Sequence, residues 1–193
     1  MFEGKYTNSN FMAKILLNNF YNTIFKMVQP LNGELKKILE VGCGHGYSTQ
    51  QLSKIWKASI LEASDVDQKL VQDAKNKNPN IQITIESVYG LNRNDASFDL
   101  ILLLEVLEHL SCPEKALEEL HRVSKKYCII SVPNEPLWRI LNMIRGSYWP
   151  YFGNTPGHVN HWSKAGITRL VGRYFKIVRV VTVIPWTVLL VEK

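Results

Sequence analysis

The sequence predicts an α/β fold in which a doubly wound, mostly parallel sheet of seven strands carries helices on both faces. Three observations predict it. Short apolar runs alternate with helical patterns from residue 37 to 132, as parallel strands require, because each crossover between them carries a helix. The run Phe98–Leu104 is almost wholly apolar, which suits a central strand buried on both faces. A glycine-rich turn, Gly42 to Gly46, follows the first run directly.

The elements follow in order. Residues Phe11–Val28 place Lys14, Asn18, Asn22 and Lys26 at intervals of four with apolar residues between, an amphipathic helix. Lys37–Val41 is a buried strand, ended by the glycine turn. A helix is expected over Tyr47–Trp56 with Leu52, Ile55 and Trp56 inward, a strand over Ala58–Ala63, and a helix over Asp67–Lys77 with Leu70, Val71 and Ala74 inward. Ile81–Glu86 alternates apolar and polar residues as a strand does. Ser111-Cys112-Pro113-Glu114 has the spacing of a capping box. The helix it opens lines one side with Ala116, Leu117, Leu120 and Val123. Tyr127–Val132 is the fifth strand, and Lys176–Val183 with Trp186–Glu192 closes the sheet as a pair, one of its strands antiparallel to the rest. Between them, Leu137, Ile140, Leu141 and Ile144 form a helical stripe, so part of this segment is expected to pack against the rest of the chain.

Length and composition narrow the class. The 193 residues, 46% hydrophobic and 21% charged, suit one globular domain over 1–193. No repeat, linker or low-complexity tract divides it. No apolar run approaches the roughly 20 residues of a membrane span. MFEGKYTNSN at the start lacks a charged-then-apolar leader pattern, and Cys43, Cys112 and Cys128 form no CxxC pair. A cytoplasmic, reduced setting is the expectation. The net charge of +6 is uneven: from Pro136 to Val191 there is no acid, yet Arg139, Arg145, Lys164, Arg169, Arg173, Lys176 and Arg179 are present. A solvated basic face or a surface for an anionic partner both fit.

The strongest motif is Ile38-Leu-Glu-Val-Gly-Cys-Gly-His-Gly46. Its glycines let bare backbone amides approach a ligand. A nicotinamide-dinucleotide turn of the form GxGxxG would need glycine at Tyr47 and does not have it. Nineteen residues after Gly46 comes Asp65, where a carboxylate accepts from both ribose hydroxyls of a bound nucleoside. Asp67 is placed to cap the next helix.

On these residues the sequence resembles the class I S-adenosylmethionine-dependent methyltransferases, in particular the group that includes the ubiquinone-biosynthesis O-methyltransferases. The likeness is close over Lys36–Val132 and rests on Glu40–Gly46, on Asp65 with Ala74 nine residues later, and on Asp95, Ser97, Phe98, Asp99 and Leu107-Glu108-His109. The resemblance implies a Rossmann-like core and S-adenosylmethionine as cofactor. Its site would comprise Glu40, Gly42, Cys43, Gly44, Gly46, Asp65, Val66, Ser87, Val88 and Glu105. The family's adenine-binding acid has no counterpart, since its place falls on Ser87.

The chemistry falls to Glu108 and His109, with His109 as the general base. Read as one helical turn, Glu105-x-x-Glu108-His109 also offers a divalent-metal half site, to be completed from the downstream loop by His161 or His158. The N-terminal helix 11–28 and the insertion 134–164 are expected to form a lid over the substrate. In the insertion, Trp138, Tyr148, Trp149, Tyr151, Phe152 and Trp162 lie among Arg139 and Arg145. Such a surface encloses a ring or lipid-like acceptor, rests at a membrane interface, or packs on the sheet as a hydrophobic cover. A small hydrophobic acceptor ranks first. An RNA 2′-O-methyltransferase ranks below it, because no RNA-binding appendage is present. A catalytically silent cofactor-binding subunit is the alternative outside the enzymes, and both monomer and homodimer remain open.

Overall fold

The computed structural model describes residues 11–31, 33–57, 60–144, 146 and 148–193. Its helices are α1 (Phe11–Val28), α2 (Tyr47–Ile55), α3 (Gln68–Lys77), α4 (Pro113–Val123), α5 (Leu137–Ile144) and α6 (Lys164–Val171). Its strands are β1 (Lys37–Val41), β2 (Ile60–Asp65), β3 (Gln82–Ile85), β4 (Phe98–Leu104), β5 (Ser124–Pro133), β6 (Lys176–Val183) and β7 (Trp186–Glu192). They form one sheet in the order β3-β2-β1-β4-β5-β7-β6. All neighbours are parallel except β7, which runs antiparallel between β5 and β6. The strand order reverses between β1 and β4. Crossovers leave the sheet there in opposite directions and open a crevice at the carboxyl ends of the strands.

Alternation along the strands builds a large core on each face of the sheet, with a smaller cluster of Cys43, Ala63, Val71, Ala74 and Ile83 beside them. Leu39, Val41, Ile101, Leu103 and Ile130 face one side, where Ala116, Leu117 and Leu120 of α4 and Ile167 and Val171 of α6 cover them. Ile38, Leu100, Leu102 and Ile129 face the other, beneath Phe20, Ile24 and Met27 of α1 and Leu52 of α2. Because both faces are buried, the central strand needs apolar residues in succession, which is why Phe98–Leu104 reads as a nearly unbroken run. Truncating one of these leucines, Leu102 for example, costs about 2–5 kcal/mol. On α1, Lys14, Asn18, Asn22 and Lys26 are exposed, as the sequence predicts.

Several elements differ from the sequence reading. The second strand runs from Ile60 to Asp65 rather than from Ala58 to Ala63; Ala58 and Ser59 lie outside the described residues, as do Arg145 and the first ten residues. The fifth strand begins at Ser124, three residues early, because Ser124 pairs with Phe98 and the Lys125 ammonium lies 3.0 Å from Asp99. The capping box does not form. Cys112 is the N-cap of α4 with no side-chain cap bond, and Ser111 Oγ stands near the Tyr89 hydroxyl instead. The stripe on α5 packs only in part: Leu137 and Leu141 are half-buried, Ile140 and Ile144 face solvent, and the fully buried residues are Trp138 and Asn142. No helix among the described residues is long and apolar enough to cross a membrane.

Candidate active site

The chain leaving β1 must reverse tightly over the carboxyl ends of the strands, and the glycines allow it. Gly44 and Gly46 have φ of 53° and 76°, the left-handed region in which a side chain is strained. A Cβ at Gly46 would also meet the Ala74 Cα at 2.8 Å, so α3 presses directly on the turn. At Gly44 nothing lies within 4 Å of that position, so the backbone there borders open space. The turn is tied to β2. Gly42 N and Cys43 N donate to the Ser64 carbonyl at 2.8 and 3.0 Å, and Gly44 N donates to Asp65 Oδ2 at 2.8 Å. Asp65 Oδ1 accepts from Asp67 N at 3.0 Å. The Asp67 side chain caps α3 by accepting from Lys69 N and Leu70 N, as the sequence predicts.

Over this turn lies a cavity of about 450 Å³, the size of sites that take a cofactor or small ligand. Its floor is the turn itself, with Asp65 and Val66 from the end of β2 and Ser87 and Val88 following β3. Glu105 and Val106 border it at the end of β4, and His109 and Leu110 form the far wall. Phe20 and Tyr21 of α1 close it from above. Among the sequence-predicted cofactor residues, Glu40 and Gly46 do not line it. Gly46 lies against α3. Glu40 sits behind the turn, fully buried, with Thr49 Oγ1 donating to its Oε2 at 2.6 Å. Its pKa is pushed up to about 7 by burial, against the opposing hydrogen bonds from Ser48 and Thr49. Burial, reinforced by Glu40 and Asp65, also pushes the Cys43 thiol far above its ordinary value, so that it remains protonated.

The adenine-binding acid absent at Ser87 is not replaced by its neighbour. Glu86 borders the cavity, but Arg93 holds its carboxylate, with Nε 3.2 Å from Oε2 and Nη2 3.1 Å from Oε1. Ser87 Oγ accepts from Tyr89 N at 3.2 Å.

At the end of β4 the structure separates residues that the sequence placed together. Glu105 takes a left-handed φ of 59°, so the helical turn does not reach it, and only Leu107–His109 form a 3-10 turn. The Glu105 carboxylate turns toward β5 and β7, accepting from Ser131 Oγ at 3.1 Å and Trp186 Nε1 at 2.7 Å. Glu108 and His109 lie on the turn beyond. His109 Nδ1 is 2.9 Å from the Gly157 carbonyl, which can only accept. The hydrogen is therefore on Nδ1, and Nε2 is the basic nitrogen.

The downstream loop is fixed to this turn by its backbone. Val159 N and Asn160 N donate to the Glu108 carbonyl at 2.9 and 3.1 Å, and Asn160 Nδ2 donates to the Leu110 carbonyl at 2.6 Å. That places His158 edge-on to His109, their rings 4.9 Å apart. Ligand atoms of Glu108, His109 and His158 all lie within 4.8 Å of one another, close enough to share one ion. Glu105 and His161, both expected in such a group, are not in it. His161 points outward, and its Nε2 is 2.8 Å from Asn154 Oδ1. Sequence inspection also missed Phe20, Tyr21 and Trp186, whose contacts join segments far apart in the chain and leave no local motif.

Comparison with known proteins agrees with this architecture. The family described as "Methyltransferase domain" matches residues 39–131. A mitochondrial ubiquinone biosynthesis O-methyltransferase of Dictyostelium discoideum is 31% identical over 151 residues, 70% of this chain and 46% of that protein. A ubiquinone biosynthesis O-methyltransferase of Coxiella burnetii is 24% identical over 155 residues, 70% of this chain and 64% of that protein. The chain thus spans about half to just under two thirds of these relatives. In fold it is similar to magnesium protoporphyrin IX methyltransferase of Synechocystis, solved with bound S-adenosylhomocysteine, with a TM-score of 0.74 and 18% identity over 96% of this chain and 89% of that one. Sequence relatives and strand order lead to the same assignment: the chain belongs to the class I S-adenosylmethionine-dependent methyltransferases.

Proposed function

We propose that this chain transfers the methyl group of S-adenosylmethionine to a hydroxyl of a small, apolar acceptor. The observation that carries this reading is the continuity of one cavity from Asp65, past the glycine turn, to His109. In it Asp65 accepts from the ribose hydroxyls, Gly42, Cys43 and Gly44 bring backbone to the methionine portion, Val66, Ser87 and Val88 hold the adenine, and Glu105 bounds the acceptor side.

Methyl transfer from a sulfonium is an in-line displacement with a neutral thioether as leaving group. The protein's work is to align the acceptor oxygen and remove its proton. His109 Nε2, oriented by the Gly157 carbonyl, is the proton acceptor. Phe20, Tyr21 and Leu110 exclude water and favour an apolar ring. Helix α1 and the insertion 134–164 act as the lid. Trp138 of the insertion stacks beside His158, with ring centroids 6.2 Å apart.

A second reading rests on Glu108, His109 and His158, whose one carboxylate and two imidazoles fit a divalent transition-metal ion. Glu108, His109 and His158 would hold such an ion, and the chemistry it would supply is Lewis-acid activation of an acceptor hydroxyl. Parallel calorimetric titrations with S-adenosylhomocysteine and NAD, then an acceptor screen with methyl-labelled cofactor, test the main reading. Binding of the first alone and label in an extractable small molecule are expected. Binding of NAD alone, or label only in macromolecules, contradicts it.

A further inference from the structure

Recognition of the base is decided at the end of the cavity beyond β3. The lining there is Val66, Leu70, Val88 and the Tyr89 ring, joined by two polar side chains, Glu86 and Ser87. Glu86 is already committed. Arg93 grips both of its carboxylate oxygens, Thr84 Oγ1 donates to Oε1 at 2.9 Å, and the same guanidinium lies 2.7 Å from Glu62 Oε2. The Glu86 side chain is 7% exposed and that of Arg93 12%. Turning Glu86 into the cavity would strand a largely buried guanidinium, a loss that one new hydrogen bond does not offset.

Ser87 offers a single neutral hydroxyl. Its Oγ already accepts from Tyr89 N at 3.2 Å, inside a tight turn in which Gly90 N donates to the Ser87 carbonyl at 3.1 Å. The turn is fixed at its tip as well, where the Tyr89 hydroxyl accepts from Cys112 N at 3.2 Å. Asp65 is assigned to the ribose, and its two oxygens also hold the backbone N–H groups of Gly44 and Asp67. Among the described residues, the base therefore meets a fixed apolar wall and no uncommitted carboxylate to accept from its exocyclic amino group. That wall ends at solvent, since Val66 and Tyr89 are 69% and 40% exposed.

Resting on the reading that this cavity holds S-adenosylmethionine, we propose that the site recognises the purine by shape and apolar contact and leaves its amino group unread. It then takes donors and products in which that group is missing or doubly alkylated. A pocket built to hydrogen-bond a polar group rejects analogues lacking it by large factors, because its own polar atoms lose their partner. An apolar pocket imposes no such loss. Ser87 is the position that sets this tolerance.

The test is calorimetric titration of the full chain with S-adenosylhomocysteine, with its analogue lacking the purine amino group, and with its analogue carrying two methyl groups on that nitrogen. All three should bind the parent within about three-fold of one another. Ser87→Asp places a carboxylate at the amino group, so both analogues should bind that variant at least about ten-fold more weakly than S-adenosylhomocysteine. Circular dichroism checks the fold of the variant, and the parent titrations stand without it. Binding of S-adenosylhomocysteine to the parent with both analogues weakened about ten-fold or more overturns this proposal alone. No binding of S-adenosylhomocysteine overturns the reading beneath it and the proposal together. A folded Ser87→Asp that still treats the three ligands alike overturns the assignment of the amino group to position 87.

Discussion

Trp186 donates its indole N–H to Glu105 across 2.7 Å, joining the start of β7 to the end of β4. The Trp186 ring also packs on Phe20 of α1 at 4.9 Å and on Trp138 of the insertion at 6.2 Å. One side chain thus connects α1 and the insertion to a carboxylate that borders the cavity. Trp186→Phe keeps most of the ring packing and removes the donor. A hydrogen bond to a charged group contributes about 1.5–3 kcal/mol of stability, so the melting temperature should fall by roughly 3–10 °C, and kcat/KM should fall as well because the released Glu105 side chain borders the cavity. Steady-state kinetics beside thermal melting checks this. Equal kinetics in the variant would make the contact a packing feature alone.

Two glycines of one turn should respond differently to the same change. Gly46→Ala forces a left-handed backbone on alanine and drives its Cβ into α3, so destabilisation of about 2–4 kcal/mol is expected in urea unfolding. Gly44→Ala meets nothing in the protein. It should cost about 1 kcal/mol of stability and weaken S-adenosylhomocysteine affinity well beyond that, because its methyl group enters the space assigned to the ligand.

The buried carboxyl of Glu40 predicts a pH dependence. Its pKa is raised from 4.5 to about 7 in the folded protein, so the folded state holds a proton that the unfolded chain releases. Stability of the free protein therefore falls as pH rises from about 4.5 to about 7 and is level above, by at most roughly 3 kcal/mol. Glu40→Gln should flatten that slope in denaturant titrations at pH 5, 6, 7 and 8 (about one Glu40 titration range). A slope unchanged in the variant would assign it to other groups.

The three-ligand group separates two histidines that the sequence could not. His158→Ala should abolish the rise in melting temperature produced by a divalent ion such as Mn²⁺ or Zn²⁺, and His161→Ala should leave it intact. If the ion is required for turnover, a chelator stops the reaction of the parent protein and the metal restores it. A chelator without effect, together with no metal-induced stabilisation, would leave His109 as the base acting alone.

Much of this molecule was legible in its sequence, and the reason is range. Strand periodicity, the glycine turn, Asp65 at the strand end and Asp67 as a helix cap are local patterns, and the sheet satisfied each of them. The errors arose where a backbone angle or a distant partner decided the outcome. Nothing local showed that Glu105 would take a left-handed φ, which separated the Glu105-x-x-Glu108-His109 spacing into two directions. The stripe on α5 looked like a packing face until the partners of Trp138 and Asn142, contributed by Thr155 and Gly153, were known. His158 and His161 are equivalent in the sequence. Only the backbone bonds from the loop to Glu108 choose between them.

The account depends most on a nucleoside held above the glycine turn with its sugar on Asp65, and calorimetric titration of Asp65→Ala with S-adenosylhomocysteine tests it most directly. Loss of hydrogen bonds to a carboxylate worth about 1.5–3 kcal/mol predicts affinity at least ten-fold weaker than in the parent, in a protein whose circular dichroism spectrum is unchanged. Affinity equal to the parent's would contradict it.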